Sequence, residues 1–163
     1  MSYEMSIYNV NQHQLYVREE GKKNRRSAIL IHGWSSSWFA LSPIMAHLKK
    51  RYHCYGVDLP GFGMSPKGDK PAKISTYADI IADLIKSVSP DKPVVLVGHS
   101  MGGMISIEVA LRYPELVERM VLLCPTISGI LSLQVNLFIS PITIIERFSL
   151  LQKLVSSFEP HML

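Results

Sequence analysis

Hydrophobic and polar positions along this chain follow two periods in turn. Apolar and polar residues alternate singly over Glu4–Val10 and again over Gln14–Arg18, the period of strands with one wet face. Asn11-Gln12-His13 lies between them as a turn, so the opening segment predicts an antiparallel hairpin. Ala28-Ile29-Leu30-Ile31 is an unbroken apolar run, the pattern of a strand covered on both faces. Trp38–Lys50 switches to helical spacing, with Phe39, Leu41, Ile44, Met45 and Leu48 on one side. Tyr52–Val57 reads as a strand closing at Asp58, and the Gly- and Pro-rich stretch Leu59–Lys73 reads as a long loop. Ser75 or Thr76 is placed to cap a helix running through Val88, which Pro90 and Pro93 end. Val94–Val97 is a short β-branched strand, Met101–Tyr113 a helix stopped by Pro114, and Met120–Leu123 a last strand before Pro125. After the hairpin the order is β-α-β-α-β-α-β. That order predicts an α/β fold: a mostly parallel twisted sheet with helices on both faces.

From residue 126 the pattern changes. Ser140-Pro141 is a helix start, and Ile144, Ile145, Phe148, Leu151, Leu154, Val155 and Phe158 recur at helical spacing. The expected division is therefore a core over residues 1–125 and a separate amphipathic element over 126–163. Ile127 to Ile145 carries no charge, yet Gln134, Asn136, several serines and Pro141 interrupt it, so no membrane span is expected.

Composition agrees with a packed domain. Of 163 residues, 47% are hydrophobic and 18% charged, enough apolar matter for a core. The net charge of +4 is mild and calls for no nucleic acid; Lys22–Arg26 and Lys49–Arg51 read as a solvated turn and a helix end. Two cysteines, Cys54 and Cys124, both inside apolar runs, read as reduced and buried rather than bridged. Met1-Ser2-Tyr3-Glu4 has neither a basic nor an apolar leader region, which points to the cytoplasm. The histidines at 13, 32, 47, 53, 99 and 161 do not pair at ligand spacing, so neither a metal nor a cofactor is expected.

The chemistry concentrates in Val94-Val95-Leu96-Val97-Gly98-His99-Ser100-Met101-Gly102-Gly103. A serine in Gly-x-Ser-x-Gly, between a buried strand and a helix, sits on a turn sharp enough to lift its hydroxyl above the sheet edge. Gly98 and Gly102 fit because a β carbon at either place would strike the turn or the neighbouring strand. The helix beginning at Met101 aims unpaired N–H groups and its positive dipole end at the same place, where they can stabilise developing negative charge.

With that segment the chain resembles the α/β-hydrolases that carry a cap after the sixth strand. Ile31-His32-Gly33-Trp34, Asp58-Leu59-Pro60-Gly61-Phe62-Gly63-Met64-Ser65 and Gly98-His99-Ser100-Met101-Gly102-Gly103 arrive in that family's order and spacing. The resemblance covers residues 4–125 well and the cap region loosely. It implies Ser100 as nucleophile, the backbone N–H groups of Trp34 and Met101 as oxyanion hole, and the Trp34 side chain as part of the acyl pocket. It also implies structural parts for His32, Gly33, His99 and Asp58 in holding the loops around the elbow. Gly61-Phe62-Gly63 is not a dinucleotide fingerprint. Serine at position 100 speaks against the dehalogenase and epoxide-hydrolase branches, which place Asp there.

A serine nucleophile needs a base and an acid to orient it, in the chain order Ser, Asp or Glu, His. After Ser100 the sequence has no Asp, the glutamates 108, 115, 118, 146 and 159, and one histidine, His161. Glu159 and His161 lie two residues apart beyond a predicted helix, flanked by Pro160, and make a poor dyad. The expectation is the front part of a longer hydrolase, acting on an ester or thioester of a hydrophobic acyl group. C–C bond hydrolases, cofactor-free haloperoxidases and acyltransferases share the Ser elbow. The alternative is a catalytically inactive fragment or a non-enzymatic binding module on the same scaffold. Truncation would leave Met120–Leu123 as an apolar sheet edge open to self-association. The expected ligand is a small hydrophobic acyl substrate.

Overall fold

The computed structural model describes residues 4–68 and 72–125. The expected amphipathic element at 126–163, including Ile127–Ile145, Phe138, Glu159 and His161, lies outside the described residues. The six described strands are β1 (Ser6–Val10), β2 (His13–Glu20), β3 (Ser27–Ile31), β4 (His53–Val57), β5 (Val94–His99) and β6 (Val117–Leu123). They form one sheet in the order β1-β2-β4-β3-β5-β6. β1 and β2 pair antiparallel, β2 meets β4 antiparallel, and β3 is parallel to both β4 and β5, as β5 is to β6. This is the mostly parallel sheet with a leading hairpin that the pattern predicts. The hairpin is tighter than expected. Asn11 and Gln12 alone make the turn, both at positive φ (45° and 62°), while His13 already pairs with Val10.

Each central strand divides its side chains between two cores. Ile29 and Ile31 of β3, Tyr55 and Val57 of β4, and Val94 and Leu96 of β5 face one cluster. That cluster is closed by α2 (Ile74–Val88) through Ile80, Ile81, Leu84 and Ile85, and by α3 (Met101–Arg112) through Ile105 and Val109. Ala28, Leu30, Cys54, Val95 and Val97 point the other way, onto Trp38, Leu41 and Met45. Helices thus cover both faces, which is why Ala28–Ile31 is apolar throughout and all of β3, Ser27 included, is buried.

Several boundaries differ from expectation. Trp38–Leu41 is a 3₁₀ turn, and only Ser42–Leu48 is α-helical (α1), because Pro43 starts a new helix there. Lys73, not Ser75 or Thr76, is the N-cap of α2, with no side-chain cap hydrogen bond. β6 begins three residues early, at Val117, since its pairing to β5 tolerates the charged Glu118 and Arg119 on an exposed face. β6 is the outermost described strand on that side, and Met120 and Val121 are exposed. Cys54 is buried as expected, but Cys124 is exposed. It follows the end of β6 at φ 45°, where the chain leaves the sheet and turns the side chain out of the apolar layer. Among the described residues no helix is long and apolar enough to cross a membrane.

Candidate active site

Ser100 occupies the single residue between β5 and α3, at φ 50° and ψ −114°. That conformation is unfavourable for a residue with a β carbon, and the surroundings enforce it. The Ser100 N–H donates to the Leu123 carbonyl of β6 at 2.9 Å, while the Ser100 carbonyl accepts from Gly103 and Met104 N–H at 2.9 and 3.3 Å. The chain is therefore pinned on both sides of the turn.

Glycines let three backbones converge here. A β carbon at Gly98 would run into the Gly102 carbonyl and stand 2.6 Å from Ser106 Oγ. One at Gly102 would strike the Ile31 carbonyl and lie 2.7 Å from the His32 carbonyl oxygen. The first turn of α3 thus lies directly on the end of β3. Ser106, fully buried, donates its hydroxyl to the Gly102 carbonyl at 2.8 Å and fills the space that Gly98 leaves. Gly33 carries the loop after β3 past the elbow: its missing β carbon would be 3.0 Å from His99 Nδ1 and 3.2 Å from Ser100 Cβ. The structure brings His32, Gly33, His99, Ser100, Met101 and Gly102 into one neighbourhood. Met101 and Gly102 open α3, so their N–H groups precede any intrahelical acceptor.

His32 is fully buried. Its Nδ1–H donates to the Gly33 carbonyl at 2.7 Å, and its Nε2 accepts from the Leu59 N–H at 3.2 Å. Both ring nitrogens are thus engaged by backbone, which defines a neutral tautomer bridging the loops after β3 and β4. Burial holds its pKa below the ordinary value, against the opposing pulls of the Gly33 hydrogen bond and the Asp58 charge. The ring also meets Phe62 edge-on at 5.5 Å.

Asp58, 1% exposed, organises the second loop. Its Oδ1 accepts from Trp38 N–H at 2.8 Å and its Oδ2 from Met64 N–H at 2.9 Å. Its carbonyl accepts from Ser65 Oγ at 2.6 Å, and the same Oγ accepts from Tyr16 N–H at 2.9 Å. Gly63, at φ 54°, packs so tightly against this carboxylate that a β carbon would collide with it. The loop is consequently fixed to β2, to the 3₁₀ turn and to itself.

These two loops border a cavity of about 350 Å³ walled by Trp34, Phe62 and Tyr77, with His13 and Lys67 also lining it. Trp34 is 69% exposed and meets Phe62 edge-on at 5.4 Å. Tyr77 donates its hydroxyl to the Pro60 carbonyl at 3.2 Å, and burial raises its pKa. The sequence pattern points to Trp34, includes Phe62 and Ser65 only as members of the Asp58–Ser65 segment, and gives no part in the site to Lys67, Tyr77 or Ser106. Ser65 and Ser106 each donate a hydroxyl to a backbone carbonyl, of Asp58 and of Gly102, a partnership with no signal in the sequence. Lys67 had none either. Among the described residues no three of His, Cys, Asp and Glu stand together as a metal site would require.

Comparison with known proteins bears on the fold. The family described as alpha/beta hydrolase fold matches residues 29–150. An uncharacterized hydrolase of Bacillus subtilis is 36% identical over 113 residues, covering 68% of this chain and 40% of that protein. The 2-(acetamidomethylene)succinate hydrolase of Mesorhizobium japonicum is 36% identical over 107 residues, covering 66% of this chain and 37% of the relative. Among solved structures, a bacterial membrane phospholipase A described as a virulence factor superposes with a TM-score of 0.69 at 30% identity. That match covers 76% of this chain and 40% of the phospholipase. The chain spans less than half the length of the curated relatives it matches.

Proposed function

Because the chain belongs to the α/β-hydrolase family, we propose that it is a serine hydrolase in which Ser100 attacks the carbonyl of an ester or thioester of a hydrophobic acid. The observation that carries this reading is the enforced backbone of Ser100, a positive-φ serine at the end of a buried parallel strand with a helix N-terminus immediately behind it. Strain of that kind persists only where the surroundings over-determine it, and here it displays a hydroxyl beside N–H donors.

In this reading Ser100 Oγ bonds to the substrate carbonyl carbon and passes its proton to a histidine base. The resulting oxyanion is held by the N–H groups of Trp34 and Met101, and the leaving alcohol or thiol takes the proton back as the acyl-enzyme forms. Water then attacks the acyl-enzyme by the same route and frees the acid. Neither base nor acid is assigned among the described residues. His32 is unsuited as base because both its nitrogens are spent on backbone partners. The Trp34 ring and its cavity would receive the apolar part of the substrate.

Hydrolysis of p-nitrophenyl esters from acetate to octanoate tests the substrate class. The reading expects turnover that rises with acyl length and disappears in Ser100→Ala; turnover independent of Ser100 would refute it.

A further inference from the structure

The cavity bordered by the loops after β3 and β4 is lined by the aromatic Trp34, Phe62 and Tyr77 and by the cationic Lys67. Trp34 ties it to Ser100: its backbone follows Gly33, which lies against Ser100 Cβ, while its exposed ring forms one wall. Phe62 and Tyr77 form the other apolar walls. The loop between β4 and α2 brings Lys67 to the same space. Gly61, at φ 84°, donates its N–H to the carbonyls of both Ser65 and Pro66, at 3.2 and 3.1 Å, so the chain doubles back on itself. Lys67 Cγ then lies 3.6 Å from the point where a Gly61 β carbon would stand, and its stem packs over the bare glycine. Lys22, Lys49 and Lys86 each face a carboxylate, whereas no ion pair joins Lys67 to any described residue.

An ammonium offers three donors and no acceptor. Beside aromatic walls, a ligand that covers it without supplying an acceptor removes its water and returns nothing; an anion returns a charge-assisted hydrogen bond. We propose that Lys67 is a specificity residue, and that the cavity takes a carboxylate-bearing substrate whose apolar stem lies among Trp34, Phe62 and Tyr77 while its anionic end meets the Lys67 ammonium. This rests on the reading of Ser100 as nucleophile and narrows its substrate from any hydrophobic ester to the ester of an acid that carries a second, anionic group. His13 also lines the cavity.

Binding of two non-hydrolysable probes tests the proposal without needing turnover. The probes are 3-phenylpropionate and its neutral isostere 3-phenylpropionamide, titrated into the full chain by calorimetry and by the fluorescence of the exposed Trp34. The acid should bind about tenfold tighter than the amide, the worth of one charge-assisted contact at a partly open site. Added salt should shrink that preference. Lys67→Gln should abolish it and Lys67→Arg should keep it, with thermal melts confirming that both variants fold. Equal affinities in the unsubstituted chain, a preference that survives in Lys67→Gln, or a folded chain that binds neither probe would each overturn it. A chain that prefers the acid but fails to acylate Ser100 would sink the nucleophile reading and leave the anion site standing.

Discussion

Gly33 and Ser100 come from loops 67 positions apart, yet a β carbon on Gly33 would rest 3.2 Å from Ser100 Cβ and 3.0 Å from His99 Nδ1. Both contacts are tight without being impossible. His99 is half-buried and its ring can swing aside, but Ser100 Cβ is locked by the hydrogen bonds around it. Gly33→Ala should therefore fold with little loss of thermal stability and lower the rate of acylation at position 100 by about tenfold or more, since small displacements of a reacting group are costly. Melting curves alongside stopped-flow acylation separate the two effects.

Gly102→Ala should behave differently. Its β carbon would collide with the carbonyls of Ile31 and His32, which belong to the sheet and its first loop and cannot swing away. Overpacking against backbone costs about 1–3 kcal/mol or more, so a fall in melting temperature of several degrees is expected. Calorimetric melting measures it directly.

Asp58→Asn keeps the size of a buried side chain and removes half of its accepting capacity. The carboxylate takes N–H groups from Trp38 and from Met64 on separate oxygens, and an amide would oppose one of them with its own NH₂. The expected loss is about 1–3 kcal/mol, seen as a lower urea midpoint with an unchanged slope.

Acid should destabilise the protein in two stages. Burial keeps the His32 pKa below 6.5 in the folded chain, so the unfolded chain takes up that proton first. Its share of stability is complete well above pH 6.5 and declines as pH falls through that value. Glu19 is pulled up by burial, but hydrogen bonds from Ser6, His53 and Tyr8 outweigh this and hold it below its ordinary 4.5. The stability it lends is present above 4.5 and is lost as pH falls through its lower folded pKa. Melting temperatures between pH 8 and 3 should show both stages, the first missing in His32→Gln and the second in Glu19→Gln.

Much of this architecture can be read from residue patterns because the fold buries its central strands on both faces. Ala28–Ile31 and Val94–Val97 must be apolar throughout, and such runs are unmistakable. The elbow was legible for a related reason: Gly98, Ser100 and Gly102 answer a local steric demand that their spacing displays. Edges and long-range placements were harder. Glu118 and Arg119 disguise the start of β6, because an exposed strand face accepts charges. Cys124 looked buried by its neighbours, but a positive φ after the strand turns it outward. Lys67 reaches the cavity only through the two hydrogen bonds of Gly61, a folding-back of the loop that leaves no periodic trace.

The central claim is that Ser100 is an activated nucleophile. Exposure of the purified, folded chain to a fluorophosphonate, followed by intact mass and peptide mapping, addresses it most directly. The account predicts one adduct, on Ser100, absent from Ser100→Ala. A folded chain that takes no adduct, or one whose labelling survives in Ser100→Ala, would contradict it.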